Sequence, residues 1–170
     1  DALHAQREAL DLAPEARRLL ERVHLDFVLA GARLSTSDKQ RFGVIVERLA
    51  ELQTAFSQNV LHDESSWALW LADERDLAGL PPFLRASAHE AAQQRGRPDG
   101  WAITLSRSLV APFLTYSDRR DLREQAFKAW TSRGEHDGEH DNRPIAREIL
   151  ALRHEQARLM GCATYAEYAL

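Results

Sequence analysis

The sequence predicts a mainly α-helical fold, a multi-helix array that carries one small two-stranded β element. Apolar residues recur at steps of three and four along most of the chain, which is the period of a helix with one buried face. Only two short segments, residues 67–71 and 101–105, alternate at every second residue instead. The chain has 170 residues, 44% of them apolar, which is enough for one compact domain with a core.

The first 31 residues predict two helices. A short helix is expected over residues 2–10. Pro14 occupies a favourable first helical position and opens a second helix, which runs to about Gly31, a plausible terminator. One face of this second helix comprises Leu19, Leu20, Val23, Phe27 and Ala30.

The clearest amphipathic helix follows. Ser35 and Asp38 have the spacing of a capping box, which predicts where this helix begins. About 25 helical residues would form a rod of roughly 37 Å, which needs long helical partners to cover its apolar face. That face comprises Phe42, Ile45, Val46, Leu49, Leu52, Phe56 and Val60.

The middle of the chain predicts the β element. The alternating segments 67–71 and 101–105 are expected to pair, and antiparallel pairing is the commoner arrangement. Between them a helix is expected over residues 82–95, ended by Gly96.

The last third predicts further helices. Residues 112–116 are expected to form a short helical turn or loop, and Ser117 to cap a helix over residues 118–133. After a polar loop, Asn142 is expected to cap a helix that ends at Gly161, and Thr164 to cap a final one.

Residues 1–170 are expected to form one helical region, and the polar loop at residues 134–141 is the best place for a sub-boundary. The chain has no initiating methionine and no helix stop signal at its last residues, so we expect both ends to be cuts in a longer polypeptide.

Composition excludes several classes of function. The net charge of −4 argues against a nucleic-acid partner and against an anionic membrane surface, since both require a basic face. The longest apolar runs, such as residues 27–32, are too short to span a bilayer. Cys162 is the only cysteine, so no internal disulfide can form and a reducing, cytoplasmic location is expected.

The strongest metal-site candidate is the segment His136-Asp137-Gly138-Glu139-His140, which fits the inverted zinc-protease spacing H-x-x-E-H. That motif binds zinc only on a helix, where residues four apart share a face. Two glycines weaken any helix here, so we interpret the segment as a solvated acidic loop, with an independent zinc site at His136 and His140 as the weaker alternative.

Two near misses resemble H-E-x-x-H. In the first, His89 is followed at the second ligand position by Gln93, a poor zinc ligand. In the second, His154 is followed there by Arg158, which would repel a cation. Both histidines are interpreted as ordinary helix-surface residues.

No other site chemistry is evident. Cys162 has no base near it in sequence and is interpreted as a small buried residue, and the four tryptophans as core residues rather than a binding platform. No nucleophile elbow, P-loop or dinucleotide fingerprint is present. The sequence therefore predicts no catalytic residue, no metal ligand and no bound cofactor, and leaves any substrate-binding residue undefined.

An ordered series of short motifs extends from about Pro14 to the end of the chain. They are F-S-Q-N-V-L at 56–61, D-L-A-G-L-P at 76–81, W-A-I-T-L at 101–105, R-R-D-L-R-E at 119–124, R-G at 133–134, D-N-R at 141–143 and L-R-H-E-Q-A-R-L-M-G at 152–161. In this order they resemble one family, the zinc metallopeptidases that include thimet oligopeptidase, oligopeptidase A and peptidyl-dipeptidase (dipeptidyl carboxypeptidase).

The resemblance implies a larger, two-lobed helical peptidase whose deep channel admits only short peptides, as an oligopeptidase or a dipeptidyl carboxypeptidase. The family's zinc is bound by H-E-x-x-H and a later glutamate, and all of these lie downstream of the matched region. This chain is therefore expected to be an inactive fragment upstream of that motif, which forms channel wall and scaffold.

The expected partners are the remaining catalytic lobe and, for the parent, short peptides, and the isolated fragment is expected to self-associate. The alternative from another class is a stand-alone helical protein-interaction module without enzymatic activity.

Overall fold

A computed structural model describes residues 1–170 and contains eight α-helices and one two-stranded sheet. The predicted fold class, mainly α with one small β element, is confirmed. No helix combines the length and the apolar character needed to cross a membrane. The elements are α1 (Ala2–Ala5), α2 (Pro14–Leu29), α3 (Thr36–Ser66), β1 (Ala68–Leu71), α4 (Pro82–Gln93), β2 (Trp101–Thr104), α5 (Arg107–Tyr116), α6 (Arg120–Thr131), α7 (Asn142–Leu159) and α8 (Tyr165–Ala169).

The chain divides into two compact units. The first unit consists of Asp1–Leu52 and Arg147–Leu170, and the second of Gln53–Ala146. Helices α3 and α7 contribute residues to both units. The loop at residues 134–141 lies within the second unit, and the sub-boundary expected there stays a prediction.

Helix α2 of the first unit begins and ends as predicted, but its apolar face is not buried. Pro14 is its first residue, and Gly31 follows its end with a φ of +88°, which favours glycine. None of its residues is buried, and Leu19 and Phe27 are 64% and 65% exposed. Helical periodicity therefore shows which residues of α2 share a face, but not whether anything covers that face. Helix α1 is also shorter than expected.

Helix α3 has the predicted start and is longer than expected. The Ser35 hydroxyl accepts a hydrogen bond of 3.2 Å from the Asp38 backbone N–H and donates one of 2.8 Å to the Asp38 carboxylate. The helix extends over 31 residues, or roughly 46 Å. In the first unit its buried residues are Ile45, Leu49 and Leu52.

Two ion pairs join α3 to α7 within the first unit. Both contacts are bidentate, at 2.6 and 2.7 Å for Arg41–Glu155 and at 2.6 and 3.0 Å for Arg48–Glu148. Because the α3 position rises by seven (41 to 48) while the α7 position falls by seven (155 to 148), the two helices run antiparallel. The hydrogen bonds from the guanidinium groups hold the pKa of Glu148 and the pKa of Glu155 below their ordinary values.

The core of the second unit lies around the sheet. β1 and β2 pair antiparallel as predicted, with Trp70 opposite Ala102 and Leu71 opposite Trp101. Helix α4 contributes Leu84, Ala88 and Ala91 to this core. The buried residues of this core are Leu69, Leu71, Leu77, Leu80, Leu84, Ala88, Ala91, Ile103, Leu109, Val110, Phe113, Leu122 and Ala126.

Helices α5 and α6 differ from the prediction. Only a turn or loop was expected at residues 112–116, yet α5 has ten residues with Pro112 inside. Proline lacks an N–H and disfavours a helix interior, but Leu109, Val110 and Phe113 are buried, and this packing outweighs the local preference. Helix α6 begins two residues later than expected, at Arg120.

The start of α7 also requires a correction. Asn142, predicted to be the cap, is the first helical residue and is buried. Asp141 caps the helix instead, since its Oδ1 accepts a hydrogen bond of 2.9 Å from the Arg143 N–H. The predicted cap of α8 is confirmed, with Thr164 and Glu167 forming a capping box.

Candidate functional site

Polar side chains of α3 and of the segment between α6 and α7 meet within the second unit. Because several family-like motifs supply these residues, this group is the first place to look for a site. We call it the polar junction; it comprises Asn59, Asp63, Glu64, Arg133, Gly134, His140 and Asn142.

A chain of hydrogen bonds runs through the polar junction. The His140 Nδ1 lies 3.2 Å from the Asn59 Oδ1, so this nitrogen carries the proton that is donated. The Asn59 Nδ2 in turn donates to the Asn142 Oδ1 at 2.9 Å, and the Asn142 Nδ2 donates to the Phe56 carbonyl oxygen at 3.0 Å. Both asparagines are buried, and their mutual bond compensates for the loss of hydration.

The same group fastens the segment after α6 to α3. The Gly134 N–H donates to the Asp63 carboxylate at 2.6 Å, and the Asn142 N–H donates to the Gly134 carbonyl at 2.7 Å. Arg133 forms an ion pair with Glu64. Gly134 has a φ of +69°, and a Cβ on it would lie 2.5 Å from the Asn142 Nδ2, so both conformation and space favour glycine.

The H-x-x-E-H segment is a loop, as predicted, and its two histidines have different surroundings. His136 is half exposed, with its Nε2 3.4 Å from the Asp63 Oδ2. The ring of His140 stacks on the ring of His62 at a centroid distance of 3.8 Å and an interplanar angle of 28°. His140 is therefore held in the polar junction rather than solvated, and this part of the prediction is wrong.

The arrangement does not fit a zinc ion. A zinc site needs three or four ligand atoms that converge on one point, whereas stacked imidazoles present their faces to each other. No group of three or more histidine, cysteine, aspartate or glutamate side chains is placed to hold a metal ion. The expectation that this chain supplies no metal ligand and no catalytic residue stays a prediction.

The other candidates are engaged locally or lie apart. The His89 Nδ1 lies 3.0 Å from the Gly100 carbonyl, and its Nε2 lies 3.1 Å from the Gln93 amide nitrogen. His154 is exposed on α7, and Cys162 is partly buried just after α7 ends.

A second motif-built cluster surrounds Gly79. Its φ is +80°, and a Cβ there would collide with the Tyr116 carbonyl oxygen and lie 2.8 Å from the Asp118 nitrogen. Beside it, Arg119 forms an ion pair with Asp76. The motifs D-L-A-G-L-P and R-R-D-L-R-E therefore meet in space, where they join the segment before α4 to the start of α6.

Sequence reasoning missed both clusters as units. One signal was available: Asn59 lies three residues after Phe56, on the apolar side of α3, and a polar residue there requires a buried partner. Its partner Asn142 is 83 residues away, and nothing in the local pattern identifies it.

Comparisons with known proteins agree on one family. The family model for Peptidase family M3 matches residues 113–170. Oligopeptidase A of Haemophilus influenzae is 37% identical over 99% of this chain, and dipeptidyl carboxypeptidase of Salmonella typhimurium is 36% identical over all of it; in each case the match covers 25% of the relative. A probable cytosolic oligopeptidase A of Arabidopsis thaliana is 32% identical over the whole chain and again 25% of the relative.

The chain thus spans about a quarter of the length of the curated relatives it matches. The predicted family resemblance is confirmed: residues 113–170 match the model of Peptidase family M3, and nearly the whole chain is similar to oligopeptidase A and dipeptidyl carboxypeptidase.

Proposed function

We propose that this chain is a non-catalytic part of a longer zinc-dependent peptidase that hydrolyses short peptides, where it forms channel wall and supports the catalytic lobe. The observation that carries the proposal is the engagement of the motif residues. Asn59, Asp63, Arg133 and Asn142 each use their polar atoms in bonds to other parts of the same unit. Side chains that bond to other parts of the same unit stabilise its fold, which supports a structural role for these motifs.

The relatives support the peptide substrate and the missing catalytic part. Their names, oligopeptidase A and dipeptidyl carboxypeptidase, describe enzymes that act on short peptides or release dipeptides. The chain covers a quarter of their length, so the zinc ligands and the activating glutamate belong to the remainder in this proposal. The lone Cys162 supports a reducing, cytoplasmic location.

The exposed apolar residues of α2 support an interaction with the remaining lobe. A 16-residue helix is marginally stable in water unless its apolar face packs against something. In the full enzyme this face would be covered, and in the isolated chain it favours self-association.

The test compares the chain with the complete product of its coding sequence. An open frame beyond Leu170 that contains H-E-x-x-H, and a purified full product with chelator-sensitive hydrolysis of a short peptide, are expected. The chain of residues 1–170, assayed alongside, should hydrolyse none of the peptide. A stop codon directly after Leu170 would contradict the proposal and favour a stand-alone interaction module.

A further inference from the structure

A pair of stacked histidine rings joins the short helix α1 to α2 in the first unit. The ring of His4 on α1 lies almost parallel to the ring of His24 on α2, with a centroid distance of 3.7 Å and an interplanar angle of 8°. The His24 side chain is 14% exposed, whereas no residue of α1 is buried. A four-residue helix is not stable by itself, so the position of α1 depends on its contacts with α2.

The other contacts between α1 and its surroundings are exposed. Arg7 lies 4.0 Å from Glu21, and Arg17 lies 3.1 Å from Glu8, but each of these four side chains is at least 35% exposed. Solvent screens such ion pairs, so they contribute little. Leu3, the apolar residue of α1, is 63% exposed. The histidine stack is therefore the contact whose loss would free α1.

The Nε2 of His24 lies between a donor and an acceptor. The Arg33 Nη2 is 3.2 Å away, and the Asp1 Oδ1 is 2.9 Å away. A guanidinium only donates and a carboxylate only accepts. A neutral ring with a bare Nε2 therefore accepts from Arg33, and a ring protonated there donates to Asp1. The Asp1 side chain is 72% exposed, so water screens the ion pair that protonation would form.

The surroundings of His4 disfavour its protonation. Burial lowers the pKa of His4 below its ordinary value of 6.5. The positive groups that face the ring act in the same direction; they are His24, Arg7 and Arg33. The carboxylate of Glu21 acts against them.

The surroundings of His24 have the same effect. Burial lowers the pKa of His24, and the charges of Arg33, of the Asp1 amino group and of Arg7 act in the same direction. Two protonated rings in this stack would place like charges against each other at 3.7 Å. Protonation of both rings therefore opposes the contact that holds α1.

We propose that the His4–His24 stack is a proton-sensitive switch: α1 lies against α2 while both rings are neutral, and it detaches when both are protonated. Detachment removes one wall of an apolar groove of about 410 Å³, which Leu3, Leu20 and Val23 line. Because the pKa values are lower in the stack than in a detached chain, the detached state binds protons more tightly. The stabilisation of the docked helix is fully present above about pH 6.5 and is lost as the pH falls through the lowered pKa values.

Proton NMR spectra of the 170-residue chain, recorded as the pH is lowered from about 7.5 to about 5, test this directly. The nuclear Overhauser effect between the rings at positions 4 and 24 should be present at the higher pH and lost at the lower. The amide signals of Ala5 and Gln6, whose N–H groups donate to carbonyls of the first turn, should move to the positions of an unstructured chain. The ring protons of both histidines should titrate below about pH 6.5.

The double variant His4→Phe with His24→Phe keeps two rings that can stack and removes both titrating groups. Its ring contact should persist at about pH 5. His154→Gln removes an exposed histidine from α7 and is the matched control, which should leave the transition unchanged. An acetylated amino terminus should also preserve the transition, because the two rings are its cause.

Four outcomes would overturn the proposal. They are a ring contact that survives at about pH 5 in the unmodified chain, no ring contact at either pH, the same loss of contact in the double phenylalanine variant, and loss of the transition on acetylation.

Discussion

The side-chain amide of Asn59 donates a hydrogen bond of 2.9 Å to the side-chain oxygen of Asn142, and both residues are buried. The two positions are 83 residues apart and come from two motifs, F-S-Q-N-V-L and D-N-R, that resemble family signatures. The bond gives these two motif positions a structural role: they determine how the segment before α7 attaches to α3.

Asn142→Ala tests the energetic importance of this bond. The substitution removes the acceptor for the Asn59 amide and the donor to the Phe56 carbonyl, and it leaves the Nδ2 of the buried Asn59 without a partner. The free energy of unfolding should fall by about 1–3 kcal/mol. Urea unfolding followed by circular dichroism measures it. Gln58→Ala, on the exposed side of the same helix, should change the free energy by less than about 0.5 kcal/mol. Equal effects of the two variants would show that the junction is not stabilising.

The substitution Gly79→Ala tests the close approach of two motif segments, 76–81 and 119–124. Gly96 is the matched control, because its φ of +77° is almost that of Gly79 at +80°, while no atom lies within 4 Å of a Cβ placed on it. Gly96→Ala should cost about 1 kcal/mol from backbone strain alone. Gly79→Ala should cost about 1–3 kcal/mol more, because its methyl group collides with the Tyr116 carbonyl. Thermal and urea unfolding of both variants gives the comparison, and similar losses would contradict it.

The ion pairs between α3 and α7 predict a loss of stability in acid. The pKa values of Glu148 and Glu155 are lower in the folded chain than their ordinary value of about 4.3, because Arg48 and Arg41 donate hydrogen bonds to the carboxylates. The unfolded chain therefore binds protons at a higher pH than the folded chain does. The stabilisation is fully present above the unfolded pKa and is lost as the pH falls through the folded pKa.

Unfolding free energies measured from pH 7 downwards should show this dependence. The double variant Glu148→Gln with Glu155→Gln should lose stability at pH 7 and have a flatter profile below about pH 5. If the unfolding free energy of the double variant fell as steeply with decreasing pH as that of the unmodified chain, other carboxylates would be responsible for the loss of stability in acid. High salt should reduce the difference in unfolding free energy between the unmodified chain and the double variant at pH 7, since both ion pairs are partly solvated.

The exposed face of α2 predicts self-association of the isolated chain. Sedimentation velocity should show an apparent mass that rises with protein concentration. Leu19→Ser with Phe27→Ser should reduce that rise, because both side chains are more than half exposed on α2. Leu150→Ser removes a side chain that is 66% exposed on α7 and serves as the control. A monomer at all concentrations, or an equal effect of the control, would contradict the prediction.

Local rules predicted most of the elements, because their signals lie within a few residues of each other. Ser35 with Asp38 and Thr164 with Glu167 mark two helix starts, and alternation marks the two strands. The errors occur where distant packing decides. Pro112 lies inside α5 because the packing of its buried neighbours outweighs the local preference of proline. Asn142 is buried as the first residue of α7, and Asp141 caps that helix in its place.

The candidate site was less predictable than the fold. The H-x-x-E-H spacing drew attention to His136 and His140, and the two glycines correctly predicted a loop rather than the helix that this motif needs. The stack of His140 on His62 joins residues 78 positions apart (140 − 62), beyond the reach of any local pattern. Motif resemblance identified the family, but only the structure assigns the motif residues to particular contacts.

The zinc content and peptide hydrolysis of the purified 170-residue chain, measured together after incubation with zinc, test the central claim most directly. We expect less than stoichiometric zinc and no chelator-sensitive hydrolysis, with His140→Ala indistinguishable from the unmodified chain in both. One zinc ion per chain that is lost in His140→Ala, together with hydrolysis that a chelator abolishes, would contradict it.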